Sequence, residues 1–141
     1  MITRLTEAWL DRAAALEKRA GEVGWTRDHF ARELTLPASF FIVDVEQTVL
    51  RGYAGFWKIV QEAQIMNVVV APEYRRQGIG RGLLQFLVAE AGRLGCVRGT
   101  LDVRATNDPA LRLYMKEGFK PVGRRPQFYG HIDAILMDKT L

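Results

Sequence analysis

A short basic, glycine-containing segment in the middle of the chain has the residue types that bind phosphate. Its spacing is Arg75-x-x-Gly78-x-Gly80; an apolar run ends before it at Val70, and a helical pattern follows it. The first N–H groups of a helix have no partner within the helix, and the helix dipole adds about half a positive charge there. Glycine lets the backbone approach a ligand closely. The segment therefore predicts a cradle for a pyrophosphate group.

Two other phosphate-binding motifs fit this segment less well. A dinucleotide-binding fingerprint requires a third glycine where the chain has Leu83, and its glycines follow the strand directly, whereas seven residues separate Val70 from Gly78. A nucleoside-triphosphate P-loop requires Gly-Lys-Ser/Thr, and the segment contains no lysine. The remaining alternative is a glycine-rich helix start with solvated arginines.

Hydrophobic periodicity predicts the elements that position this segment. Helices are predicted at four places: from a cap at Thr6 to Gly21, from Thr26 to about Leu34, over 79–94 before a left-handed Gly95, and from a cap at Asn107 to Gly118. Strands are predicted over residues 39–45, 49–57, 64–70, 99–103, 119–123 and 132–137. This order predicts a mixed α/β or α+β sheet covered by helices, in a single domain of residues 1–141.

The composition is that of an ordinary globular protein: 141 residues, 48% hydrophobic, 26% charged, with a net charge of +4. Cys96 is the only cysteine, which excludes an intrachain disulfide and favours the cytoplasm. His29 and His131 are isolated in the sequence, so we expect no metal site. We also expect no membrane span and no signal peptide. The clustered basic residues fit a polyanion partner, a phosphorylated cofactor or a solvated surface, and composition does not choose among them.

The glycine-containing segment resembles the acyl-CoA pyrophosphate loop of the GCN5-related N-acetyltransferases (the GNAT superfamily). Residues 67–75 resemble the preceding strand and its exit, residues 101–107 the next strand, and residues 110–119 the helix and turn after it. Within the superfamily, the chain is most similar to the ribosomal-protein-alanine N-acetyltransferases, or RimI type. The residues that carry this likeness are 24–26, Phe30, 33–34, 55–57, 62–63, 124–125, 128–129, 133–134 and Met137.

The resemblance implies a GNAT fold, in which helices flank a mixed, mostly antiparallel central sheet. It also implies acetyl-CoA as co-substrate, without a metal. By the family pattern, the residues expected to contact acetyl-CoA are Val68, Val70, Arg75, Arg76, Gln77, Gly78, Ile79, Gly80, Arg81, Asn107 and Tyr114. The two valines would offer backbone groups to pantetheine, and helix capping alone would also explain Asn107.

The resemblance also implies a catalytic acid and a catalytic base. Tyr114 matches the tyrosine that protonates the leaving sulfur; its structural alternative is a core aromatic. Asp102 stands where RimI-type enzymes carry a glutamate base and is one methylene shorter, so we expect it to act through a water. Its structural alternative is a salt bridge to Arg104. Catalysis also requires a donor for the developing oxyanion and close positioning of the two reactants.

By the same resemblance, four residues are expected to bind the acceptor: Trp25, Glu33, Glu62 and Tyr129. The expected partner is a protein N-terminus, namely the N-terminal alanine of a small-subunit ribosomal protein. We expect neither nucleic-acid nor membrane binding, and a monomer or weak dimer. Two alternatives stay open: a GNAT enzyme that acts on a small-molecule amine, and a catalytically weak acyl-CoA-binding module, which the aspartate at position 102 would fit.

Overall fold

A computed structural model describes all 141 residues and contains seven strands and four α-helices. The strands are β1 (Ile2–Arg4), β2 (Ser39–Glu46), β3 (Val49–Ile59), β4 (Glu62–Val70), β5 (Arg98–Arg104), β6 (Lys120–Tyr129) and β7 (Ile132–Thr140). The helices are α1 (Leu10–Ala20), α2 (Arg27–Glu33), α3 (Ile79–Arg93) and α4 (Asp108–Lys116). Short 3₁₀ turns cover Glu7–Trp9 and Pro72–Tyr74. None of the helices is long and apolar enough to cross a membrane.

The strands are hydrogen-bonded in the order β1-β2-β3-β4-β5-β7-β6. Strand β4 pairs with β5 in parallel, whereas β1–β2, β2–β3, β5–β7 and β6–β7 are antiparallel. This arrangement confirms the predicted mixed, mostly antiparallel sheet with flanking helices. The chain divides into two units, residues 1–57 with 66–87 and residues 58–65 with 88–141.

In the first unit, helices cover both faces of the strands. Tyr53 of β3 packs edge-on against Phe30 of α2, with ring centroids 5.1 Å apart. Its neighbour Gly52 points to the opposite face, where a Cβ would lie 3.1 Å from Leu83 of α3. The buried core between α1, α2 and the strands consists of Leu5, Leu10, Ala13, Leu16, Phe30, Phe41, Val43, Val45, Leu50, Tyr53, Val69 and Ala71. Each large apolar side chain in it contributes about 1.5–3 kcal/mol through burial.

In the second unit, β5 lies between β4 and β7. Its alternate residues Leu101 and Val103 are buried, as the sequence pattern predicts for one face of a strand. At the end of α3, Gly95 adopts a φ of 89°, and the Cys96 N–H donates to the Ala91 carbonyl at 2.9 Å. The predicted left-handed glycine after α3 is therefore confirmed.

The boundaries of several elements differ from the sequence-based predictions. Thr6 makes no side-chain capping bond, because a 3₁₀ turn follows it and α1 begins only at Leu10; that predicted cap is wrong. Strand β1 was not predicted, and β6 continues to Tyr129, six residues past its predicted end. The predicted start of α2 at Thr26 is confirmed: the Thr26 hydroxyl accepts from the His29 N–H, and His29 Nδ1 accepts from the Thr26 N–H at 3.0 Å.

Candidate active site

The exit of β4 delivers the chain into the basic segment through a fixed set of backbone bonds. The Ala71 N–H donates to the Arg51 carbonyl at 2.8 Å, which ties the end of β4 to β3. Pro72 then begins a 3₁₀ turn, closed by a bond from the Tyr74 N–H to the Ala71 carbonyl at 2.9 Å. The start of the glycine-containing segment is therefore held by the sheet rather than left as a free loop.

The segment turns into α3 through two residues with left-handed backbone. Arg76 has a φ of 64° and Gly78 a φ of 79°. The first helical bond runs from the Gly82 N–H to the Gly78 carbonyl at 3.0 Å, so the N–H groups of residues 79–81 lie in the first turn of α3. A Cβ built on Gly78 meets no atom within 4 Å. The space beside this glycine is open, as a phosphate cradle requires.

The side chains of the segment divide into one anchor and several exposed groups. Ile79 is buried, and one of its methyl carbons would lie 3.4 Å from a Cβ on Gly52. Arg75, Arg76 and Arg81 are exposed. Only the backbone of the isoleucine can therefore meet a ligand, while the arginine side chains carry positive charge at the surface around the helix start.

The predicted acid and the helix that carries it lie in the second unit. Tyr114 of α4 is 8% exposed, and its ring meets Phe119 edge-on with centroids 6.0 Å apart. Asn107 caps α4 by accepting from the Ala110 N–H at 3.2 Å, which confirms the predicted cap. This cap fixes where the helix begins and therefore where the tyrosine two turns later is placed.

Asp102, the predicted base, lies half-buried on β5 opposite Leu136 of β7. Strand alternation puts it on the face opposite Leu101 and Val103, as the sequence predicts. Two residues further, the Arg104 guanidinium lies 4.8 Å from the ring centroid of Tyr129. The Arg104 guanidinium therefore makes a cation–π contact with Tyr129, besides any salt bridge to Asp102.

The β6–β7 hairpin that carries Tyr129 is held by Asp133. Its carboxylate accepts from the Gln127 N–H at 2.8 Å and from Arg124 Nε at 2.6 Å. These bonds hold the pKa of Asp133 below its usual value, and the bond from the Gln127 backbone N–H has the larger effect. Gln127 itself has a φ of 55°, within an irregular stretch of β6. The neighbour of Tyr129 is Phe128, as the sequence shows, and this phenylalanine is exposed.

Residues 8–119 match the sequence profile of the acetyltransferase (GNAT) family. The chain belongs to this family.

Two curated relatives match nearly the whole chain of this acetyltransferase. The [ribosomal protein bS18]-alanine N-acetyltransferase of Escherichia coli is 32% identical over 140 residues, covering 96% of this chain and 94% of its own. The N-alpha-acetyltransferase RimI of Mycobacterium tuberculosis is 37% identical over 134 residues, covering 91% and 83%. The crystal structure of the ribosomal-protein-S18-alanine N-acetyltransferase from E. coli superposes with a TM-score of 0.88 at 30% identity, covering 99% of this chain and 92% of its own.

Acetyl-CoA is the co-substrate of the GNAT family, and the residues of this acetyltransferase fit it. The open space at Gly78, the first turn of α3 and the exposed arginines suit a pyrophosphate. The pairing of β4 with β5 runs from Glu62 to Gln64 on one strand and from Arg98 to Thr100 on the other, while both strands extend further. Residues 66–70 of β4 lie beyond this pairing, and the Val70 carbonyl accepts from Arg75 Nε at 3.4 Å.

The structure groups the predicted site residues by unit. The first unit holds all of the predicted acetyl-CoA residues from Val68 to Arg81, together with Trp25 and Glu33. The second unit holds the other predicted residues, which are Glu62, Asp102, Asn107, Tyr114 and Tyr129. Within the first unit, the rings of Trp25 and Phe41 are 5.5 Å apart.

The two predicted carboxylates of the acceptor site have different surroundings. Glu33 is only 6% exposed, and its carboxylate accepts from the indole N–H of Trp57 at 2.7 Å. Burial raises the pKa of Glu33, and the bond from Trp57 opposes that rise. Glu62 is exposed and lies 3.6 Å from Arg98 Nε. Of the two predicted acceptor carboxylates, only Glu62 lies at the surface, and the burial of Glu33 contradicts the prediction that its carboxylate contacts the acceptor directly.

The sequence analysis missed a buried carboxylate, Glu17, near the end of α1. It is 1% exposed and accepts a hydrogen bond from the Tyr53 hydroxyl. Burial is the main cause that raises the pKa of Tyr53, and the hydrogen bond to this carboxylate raises it further. The available signal was helical spacing, because position 17 follows Leu10 and Ala13 along the buried stripe of α1. An acidic residue on an apolar stripe indicates a buried, hydrogen-bonded charge.

Proposed function

We propose that this acetyltransferase moves the acetyl group of acetyl-CoA onto the N-terminal α-amine of a protein, and that its substrate is the N-terminal alanine of a small-subunit ribosomal protein. The observation that carries the proposal is the similarity to enzymes named for this reaction, which extends over nearly the whole chain. The match runs through both units, which supports the view that residues 1–141 act as one catalytic domain. We place its activity in the cytoplasm, where ribosomal proteins are made.

The chemistry of the acceptor favours an α-amine. Acetyl transfer requires a neutral amine, and an α-amine has a pKa of about 7.7–8.0 against about 10.4 for lysine. At pH 7, deprotonation therefore costs about 1 kcal/mol for the α-amine and about 4.6 kcal/mol for lysine. Less assistance from a base such as Asp102 is therefore required for an α-amine than for lysine.

Acetyl-CoA, when bound, supplies the acetyl group as an activated thioester. We propose that the N–H groups of Gly78 and of residues 79–81 hold its pyrophosphate, with Gln77 alongside and Arg75, Arg76 and Arg81 adding charge. The backbone of Val68 and Val70 would hold pantetheine, with Asn107 as a further contact.

We propose that Asp102 takes the proton of the attacking amine through a water and that the Tyr114 hydroxyl donates a proton to the leaving sulfur. The half-buried position of the carboxylate supports the first role, since a water can reach it. The packing of the buried tyrosine ring against Phe119 supports the second, since it holds the ring that carries the hydroxyl in place.

For the acceptor peptide, we propose that Trp25 and Tyr129 are contact residues and that Glu62 meets basic residues of the peptide. Glu33 would contribute to the acceptor site indirectly, by holding the Trp57 indole in place, because its carboxylate is buried and accepts from that indole. A basic peptide would complement the exposed carboxylate of Glu62.

The experiment that tests the proposal compares acceptors. Purified enzyme and acetyl-CoA are given an alanine-initiated ribosomal peptide, the same peptide with a blocked N-terminus, and a polyamine, and kcat/KM is measured for each. The proposal expects the free peptide to be preferred over both others by at least about a hundredfold, the equivalent of about 2.7 kcal/mol. A preference for the polyamine would establish the small-molecule alternative, and no turnover with any acceptor despite acetyl-CoA binding would establish the binding-module alternative.

A further inference from the structure

The mechanism proposed above leaves one buried ionisable group unused. The Glu17 carboxylate accepts from the backbone N–H groups of Val23 and Gly24, at 3.0 and 2.8 Å to the same oxygen, besides the Tyr53 hydroxyl. A buried carboxylate is costly unless it is fully hydrogen-bonded, and these three donors satisfy it. Two of the three belong to the connection between α1 and α2, residues 21–26.

Gly21 shows that this connection is built around the carboxylate. Its φ of −85° and ψ of 171° are open to any residue, so the backbone does not require glycine there. A Cβ at this position would, however, lie 2.0 Å from the carboxyl carbon of Glu17. A side chain at position 21 and the buried carboxylate therefore exclude each other.

The same connection carries Trp25. The residue before it, Gly24, has a φ of 69° and is bonded to Glu17, and the residue after it, Thr26, caps α2. The indole then packs against Phe30, with ring centroids 5.4 Å apart. Bonds on both sides therefore fix the path of the backbone at this tryptophan.

We infer that Glu17 is a positioning residue for the acceptor: it holds residues 21–26 in the shape that presents Trp25 to the substrate peptide. The inference rests on the proposed function, because it assumes a peptide acceptor. Glu17 acts through the backbone it binds and takes no part in proton transfer.

The test is the Glu17→Gln variant, which keeps the size of the side chain but places an amide NH₂ group against N–H donors. We expect amide hydrogen exchange at Val23 and Gly24 to accelerate about tenfold or more. We expect the peptide KM to rise about tenfold, as for the loss of one hydrogen bond to a charged group. The KM for acetyl-CoA and kcat should stay within about twofold.

Two further variants separate this role from a general effect on folding. Asp11→Asn removes an exposed carboxylate of the same helix, which pairs with Arg27 at 2.8 Å, and should leave exchange and both KM values unchanged. Gly24→Ala leaves Glu17 intact, and the added Cβ meets no atom within 4 Å. The substitution does, however, strain the left-handed backbone at this position. It should raise the peptide KM selectively, as Glu17→Gln does.

Two results would overturn the inference while leaving the proposed function standing. One is a wild-type enzyme that acetylates the peptide and a Glu17→Gln variant with unchanged peptide KM. The other is a parallel rise in both KM values with normal exchange at Val23 and Gly24. If the wild type acetylates no peptide, the proposed function fails, and the role of Glu17 in peptide binding fails with it.

Discussion

Replacing Gly78 by alanine should lower the affinity for acetyl-CoA far more than it lowers the stability of the free protein. A Cβ at this position meets no protein atom within 4 Å, so the substitution causes no clash in the free protein. The cost is then limited to the left-handed backbone, where φ is 79°. For a non-glycine residue this amounts to roughly 1–2 kcal/mol.

The loss of affinity has a different origin. If the pyrophosphate lies against the backbone beside Gly78, the methyl group occupies its place and displaces it from the N–H groups of the α3 start. Hydrogen bonds to a charged group contribute about 1.5–3 kcal/mol each. Losing one of them weakens binding by about 10- to 150-fold. Calorimetric titration with acetyl-CoA measures this change, and urea unfolding without ligand measures the stability.

Gly95 provides the matched control, because it ends the same helix. Its φ is 89°, and a Cβ there also meets no atom within 4 Å. Gly95→Ala should therefore cost the same roughly 1–2 kcal/mol of stability and leave acetyl-CoA affinity unchanged. Equal affinities for Gly78→Ala, Gly95→Ala and the wild type would refute the assignment of the phosphate cradle.

Three further predictions test individual side chains. Arg75→Ala should weaken CoA binding more than binding of a pantetheine thioester, because the arginine acts on phosphate charge; equal losses in calorimetry would make it structural. Tyr114→Phe should lower kcat by roughly 10²–10⁴-fold with unchanged acetyl-CoA binding; a normal kcat in steady-state assays would remove the acid role. Burial raises the pKa of Glu33 in the folded state, so as pH rises this carboxyl ionises first in the unfolded chain. The folded state therefore loses stability as pH rises from the unfolded pKa to the folded one. The Glu33→Gln variant has no titrating group at this position, so the wild type should lose unfolding free energy relative to the variant over that pH range. Above that range the difference between the two proteins should stay constant. A difference in urea unfolding that is the same at every pH would contradict this reasoning.

Much of the fold was predictable because its elements carry strong local patterns. The apolar stripe of α3, including Leu83, Leu84 and Leu87, is buried as its spacing predicts. Strand β6 shows the opposite case. Residues 120–128 are all exposed, so no apolar alternation marks the strand beyond its start. Strand β1 has only three residues, too few for a period to appear.

The sequence predicted which residue types could form the site better than it predicted their surroundings. The glycine-containing segment depends on local chemistry, and its left-handed Gly78 lies where the spacing requires it. The burial of Glu33 depends instead on Trp57, which is 24 residues away in the chain. The connection held by Glu17 likewise depends on Tyr53, 36 residues away. Local pattern cannot reveal such pairings, because tertiary packing alone creates them.

The most direct test of the central claim is to locate the acetyl group after one reaction. An alanine-initiated ribosomal peptide that also contains lysine is incubated with enzyme and acetyl-CoA near pH 7, and the product is sequenced by tandem mass spectrometry. The proposed function predicts acetylation on the terminal α-amine alone, and its loss when the N-terminus is blocked. Acetylation on the lysine side chain, with the α-amine left free, would contradict it.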